Sequence, residues 1–195
     1  MKFLFAIALV LLAAGCVAPP STKSSAQVPP ELTVDFRACY SDAKKIWFSG
    51  LAVEEHAPES RIASGIEAGF NGDQRADAYR DVRAMQNGQY KTAEELASKW
   101  FLQCARRGDL ARRDLTRVPT CFEVYRMTFE MSVVRARGKS EEEVARQFLA
   151  DPRFKGLVMP DRITGSAKKI FTVLRPGSES AYFEAEFLVC VGPNV

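Results

Sequence analysis

The sequence predicts an all-α protein, built either as two tandem small disulfide-braced helical bundles or as one fused bundle. Three observations lead there. Apolar residues recur at three- and four-residue steps through most of the chain, helix-starting signals precede those runs, and cysteines fall at corresponding places in two halves.

Composition supports a packed body. Of 195 residues, 47% are apolar and 26% charged, with thirteen Phe and two Trp to fill a core. Beyond its N-terminal segments roughly 160 residues remain, enough for one ordinary domain or two small ones. The balance of 27 basic against 24 acidic residues, a net +3, is too even for electrostatic capture of nucleic acid. A single histidine, His56, leaves little material for histidine-ligated metal sites or a Ser-His-Asp triad.

Met1-Lys2 is a positive start, and Phe3–Ala14 is an unbroken apolar run. Even extended through Ala18 it falls short of the roughly 20 residues a membrane-spanning helix needs. Its length and flanks suit a secretory signal peptide over residues 1–15. At its end, Leu12-Ala13-Ala14-Gly15-Cys16 resembles the lipobox of bacterial lipoproteins. That resemblance covers the leader alone. It implies cleavage after Gly15, diacylglyceryl attachment to the Cys16 sulfur and acylation of the new amine, so the membrane is an expected partner. Several acyl chains make a stable anchor, unlike a single myristoyl group. Val17 stands where Asp would signal inner-membrane retention, which by the same resemblance implies the periplasmic face of the outer membrane.

Residues 16–32 carry the lipidated cysteine and a Pro/Ser-rich tether. Two Pro-Pro pairs flank a Ser/Thr/Lys segment that cannot build a core. In polyproline geometry, at about 3.1 Å per residue, Val17–Leu32 reaches roughly 50 Å.

The body begins at Thr33, a candidate cap. Phe36, Cys39, Ala43, Trp47 and Leu51 form one apolar helix face. Pro58 starts a second helix with Ile62, Ile66 and Phe70, broken at Asn71-Gly72. Residues 73–85 read as a polar, mostly exposed third helix, ended by the turn Asn87-Gly88. Thr92 with Glu95 forms a capping box for a fourth helix carrying Leu96, Trp100, Phe101 and Cys104.

The pattern then returns. An offset of 82 residues places Cys39 on Cys121, Ala43 on Tyr125, Trp47 on Phe129 and Leu51 on Val133. WFLQC at 100–104 matches EFLVC at 186–190, and Ser140 with Glu143 forms another capping box. Asp151-Pro152 starts a further turn of helix, and 163–174 and 179–191 give the last two helices. The run 183–189 alternates in a way that also fits a strand. The reading is two copies of one helical unit, over 33–108 and 118–192.

With Cys16 lipidated, Cys39, Cys104, Cys121 and Cys190 remain. An even number in an oxidising compartment points to two disulfides, with three possible connectivities. The repeat favours Cys39–Cys104 with Cys121–Cys190 over Cys104–Cys121 with Cys39–Cys190. No CxxC is present, and neither a metal nor another cofactor is expected.

Chemistry-bearing patterns are sparse. Glu54-Glu55-His56 sits at a helix end and reads as a solvated terminus. The acid pairs Asp77/Asp81 and Glu184/Glu186 read as ordinary helix surface. Ser166 to Lys169 matches the Ser-x-x-Lys spacing of acyl enzymes, with no other element of that family in the sequence. Arg106, Arg107, Arg112, Arg113 and Arg117 form a local positive excess that could meet an anionic partner. The expectation is therefore a non-enzymatic, lipid-anchored envelope protein that binds another protein or supports assembly, as some small helical pilotins do. The alternatives are a periplasmic immunity or inhibitor protein and a cell-wall or lipid hydrolase.

Overall fold

The computed structural model describes residues 30–106, 115–174 and 178–191, with side chains from 36 onward. The leader, Cys16, most of the tether and Arg107, Arg112 and Arg113 lie outside the described residues. Those residues form eight helices and no strand: α1 Pro30–Glu54, α2 Glu59–Gly69, α3 Gly72–Gln86, α4 Ala93–Ala105, α5 Val118–Ala136, α6 Glu141–Ala150, α7 Pro160–Thr172 and α8 Glu179–Val191.

Local chemistry sets most boundaries. α1 ends at Glu54, and His56 two residues on, with a φ of 53°, turns the chain left-handed. Ser140 makes a full capping box with Glu143. Thr92 makes half of one: its side chain accepts from the Glu95 amide, while the Glu95 carboxylate turns to the Lys91 amide at 2.7 Å. Arg135 closes the far end of α7 by donating to the Ile170 and Leu174 carbonyls.

The cysteines pair as Cys39–Cys104 and Cys121–Cys190, with Cα atoms 5.4 and 5.7 Å apart. Each bridge ties the first to the last of four consecutive helices. α1 packs on α2, α3 and α4, and α5 packs on α6, α7 and α8.

Of the two architectures expected, the fused one is present. One core runs through α1–α4 and continues into the front of α5 and into α8, through Cys121, Phe122, Tyr125, Phe183 and Phe187. A second core holds the rest of α5 with α6, α7 and Phe154 of the connecting turn. Gly50 permits the closest crossing: a Cβ there would sit 3.0 Å from the Ala93 Cα, so α1 rides directly on the start of α4.

Three expectations change, and the helix expected over 179–191 is present. Thr33 lies inside α1, because the helix already starts at Pro30, a residue suited to a first turn. α3 is exposed over its first turn but not throughout: Ala78, Asp81, Val82 and Met85 are buried against α1 and α2. It reads as polar because its inward face includes an acid, Asp81, which receives the Trp100 indole N–H at 3.0 Å and the Lys99 ammonium at 2.8 Å. Asp151-Pro152 starts no helix, since Gly156 at φ 83° forces a left-handed turn and the segment closes on itself. Residues 183–189 are helical: Phe183, Phe187, Leu188 and Cys190 are buried, whereas Val189 is 57% exposed, which is helical periodicity.

Replacing the second bridge by Cys121→Ser/Cys190→Ser frees a loop closed across 69 residues. The loop-entropy scaling predicts a loss of about 4 kcal/mol in non-reducing urea unfolding. An unchanged midpoint and slope would show that the bridge stabilises nothing.

Candidate functional site

α1 and α2 face one another with matching spacings. Phe48, Leu51, Ala52 and Glu55 recur along one side of α1, and Ile62, Gly65 and Gly69 along one side of α2. They leave an open groove of about 720 Å³, lined also by Phe129 of α5. The α2 wall is low because Gly65, Ala68 and Gly69 carry little or no side chain; a Cβ built on Gly65 would meet nothing within 4 Å. Phe48 stands 41% exposed, a large aromatic ring with water over it. Lys45 and Arg61 give the rim positive charge, against Glu55.

The aromatic wall is rigid. Trp47, fully buried, meets Phe48 edge-on at 5.0 Å and Phe129 at 5.4 Å, and those two rings meet each other at 5.6 Å. Edge-to-face contacts of this kind add to area burial and fix ring orientation.

Trp47 is fixed by a charge network behind it. Its indole N–H donates to Glu94 Oε1 at 2.7 Å, and Glu94 is itself 2% exposed. Arg126 of α5 answers that buried carboxylate at 3.0 Å, reaches Glu54 of α1 at 2.9 Å and binds Glu130 on its own helix at 2.8 Å. Glu54 also accepts from the Ala93 amide at 2.6 Å, satisfying an open donor at the start of α4. Arg153 extends the chain of charges, holding Glu130 and Asp151 at 2.7 Å each.

Within this network the acids outnumber the bases. Glu54, Glu94, Glu123, Glu130 and Asp151 share Arg126 and Arg153. Burial opposes the Arg126 charge, but Glu130, Glu94 and Glu54 outweigh it and hold the guanidinium above its ordinary range. Burial likewise opposes the Glu130 charge, and Arg153 and Arg126 outweigh it, holding the carboxyl low. Glu123 receives no hydrogen bond among the described residues. Burial first, and then the neighbouring Glu94 and Glu54, push its carboxyl up to about 7 against the pull of Arg126 and Arg153.

The residues singled out from sequence lie elsewhere. His56 is exposed beside a shallow depression shared with Tyr90 and Lys91. No group of three potential metal ligands occurs among the described residues. Asp77 pairs with Arg80 at the surface, while Asp81 is buried on Trp100 and Lys99. Glu184 pairs with Arg37 and Glu186 with Lys169, so those two acids do not converge. Ser166 is buried, and the Lys169 ammonium is engaged by Glu186. Arg106 and Arg117 are exposed at the helix ends flanking the α4–α5 junction. Missed from sequence were Phe48, Glu94, Glu123, Arg126, Glu130 and Arg153. The Arg126/Glu130 pair, four residues apart, was the one local signal available.

The chain matches no known protein family, no curated protein and no solved structure.

Arg126→Met leaves Glu94 buried without its cation, and a broken buried pair costs about 3–5 kcal/mol. Urea unfolding should show that loss, with part of it recovered when Glu94→Gln is added. Equal stability of Arg126→Met and the parent would remove the network from its structural role.

Glu123 gives a pH signature. Its folded pKa of about 7 lies above the ordinary 4.5, so its stabilising contribution is complete below that ordinary value and is lost as pH rises through 7. Glu123→Gln should flatten the fall in melting temperature between about pH 5 and about pH 8 and be the more stable form at the alkaline end. An identical pH profile for both proteins would contradict this assignment.

Proposed function

We propose that this chain is an envelope lipoprotein whose helical body binds an apolar helical segment of another protein in the α1–α2 groove. The observation that carries the reading is the groove itself: a built, rigid aromatic wall left open to water. Natural surfaces seldom leave a ring such as Phe48 uncovered beside further apolar lining unless something covers it in use. The low α2 wall at Gly65, Ala68 and Gly69 suits close approach of a second backbone, and the exposed Arg61 suits an acidic residue flanking the apolar segment.

Two further features support the setting. Two disulfides belong to an oxidising compartment. The leader motif offers an acylated Cys16 as the attachment, and no described helix is long and apolar enough to cross a membrane. In this reading the partner is an envelope protein, and the body hangs on the periplasmic side of the outer membrane.

The two four-helix runs are, in the same proposal, copies of one ancestral unit. Their helix order, internal packing and bridge placement agree. Trp47 and Phe129, equivalent under the 82-residue offset, meet ring to ring. The groove then lies where one copy's aromatic residue closes over the other copy's first helix.

A photo-crosslinking amino acid at Leu51 or Ala68 in the native envelope should yield one discrete protein adduct, which the same label at Arg83 on α3 does not. Phe48→Asp, at a side chain already half in water, should abolish the adduct while leaving the helical circular dichroism intact. The adduct's identity separates assembly support from inhibition of a toxin or wall hydrolase. Equal labelling from groove and control positions would defeat the reading.

A further inference from the structure

We propose that the turn between α6 and α7 is a second membrane contact, a tip that inserts aliphatic side chains into a bilayer containing anionic phospholipid.

Residues 151–159 are not a loose connection. Phe154 is fully buried and Val158 is 5% exposed, both in the second core. The Leu157 and Val158 amides donate to the Phe154 carbonyl at 3.2 and 3.1 Å, Lys155 bridges to Val158, and Gly156 takes the left-handed turn. Backbone so well fixed could present polar side chains, as surface turns ordinarily do. It instead holds Leu157 54% and Met159 73% in water, on either side of the buried Val158. Leu149, 42% exposed, lies in the last turn of the helix that leads into this segment.

Charge selects the occupant. Arg146, Lys155 and Arg162 have no carboxylate partner among the described residues, while Asp161, and Glu142 four residues before Arg146, are acids with no cation partner among them. Arg153 is spent on Glu130 and Asp151. Protruding aliphatic residues amid uncommitted cations match an interface of acyl chains beneath anionic headgroups. The match is independent of the α1–α2 groove, which belongs to the other core.

The test uses the chain from Val17 onward, so that no acyl group contributes. This chain retains both disulfides and every described residue of both apolar cores, so it folds without the leader. Co-sedimentation with phosphatidylethanolamine/phosphatidylglycerol vesicles should exceed that with phosphatidylcholine vesicles and should fall with added salt. Leu157→Asp/Met159→Asp should weaken binding to the anionic vesicles by about tenfold or more, with unchanged circular dichroism. Arg146→Gln/Lys155→Gln should reduce binding and blunt its salt dependence. Three results would each overturn the proposal: a chain that stays in the supernatant with both vesicle types, as a tip that meets protein would; equal binding by the Leu157/Met159 variant; or, without vesicles, a dimer in sedimentation velocity that this variant dissociates.

Discussion

One guanidinium does what no apolar contact in this protein could do. Arg126 sits on α5 and binds carboxylates carried by α1, by α4 and by α5 itself, so three helices are registered by a single planar group. The fan of donors on Arg makes that possible, whereas Lys would offer a point charge. The interaction is obligatory once Glu94 is buried. An unpaired carboxylate in that position would be prohibitive, and the indole N–H of Trp47 supplies one further donor. The gain is placement more than stability. Trp47 is pinned by Glu94, and Phe48 and Phe129 lean on Trp47, so the aromatic wall of the groove inherits its position from the ions behind it.

The same cluster carries more acid than base, and Glu123 is where that imbalance is resolved. Arg126 and Arg153 are already occupied, so a further charge at Glu123 faces Glu94 and Glu54 with no hydrogen bond to offset its burial. Holding a proton is the cheapest solution near neutrality. Glu130 and Asp151 answer the opposite way, since Arg153 contacts both and holds their carboxyls below the ordinary range. Carboxyls on one ion network therefore titrate in different windows for a reason visible in their partners.

How much of this was legible in the sequence depended on range. Helix existence was legible, because the period of three and four residues is written locally in runs such as Phe36–Leu51 and because Ser140 and Glu143 announce their own cap. The bridge pairing was legible through the correspondence of the halves. Asp81 was not: an acid in a polar stretch reads as surface until a distant Trp100 and Lys99 arrive to pair with it. The groove was illegible for the same reason. Phe48 and Phe129 are ordinary aromatic residues in sequence, and only the crossing of α1 and α5 puts their rings together and leaves one uncovered. At Asp151-Pro152 the helix-start signal is local, and so is the left-handed Gly156 that overrides it.

α5 shows why the two halves could not be separate bundles. Cys121, Phe122 and Tyr125 enter the first core, and Val124, Met127 and Met131 enter the second. Glu123, Arg126 and Glu130 fill the ionic cluster, and Phe129 lines the groove. A helix used on every side has no solvent stripe to orient it, so its apolar residues run all round instead of along one face. Such a helix must be the centre of the molecule. It also carries Glu130, the carboxylate gripped both by Arg153 beside the α6–α7 turn and by Arg126 behind the α1–α2 groove, so one ion network runs unbroken between those two places.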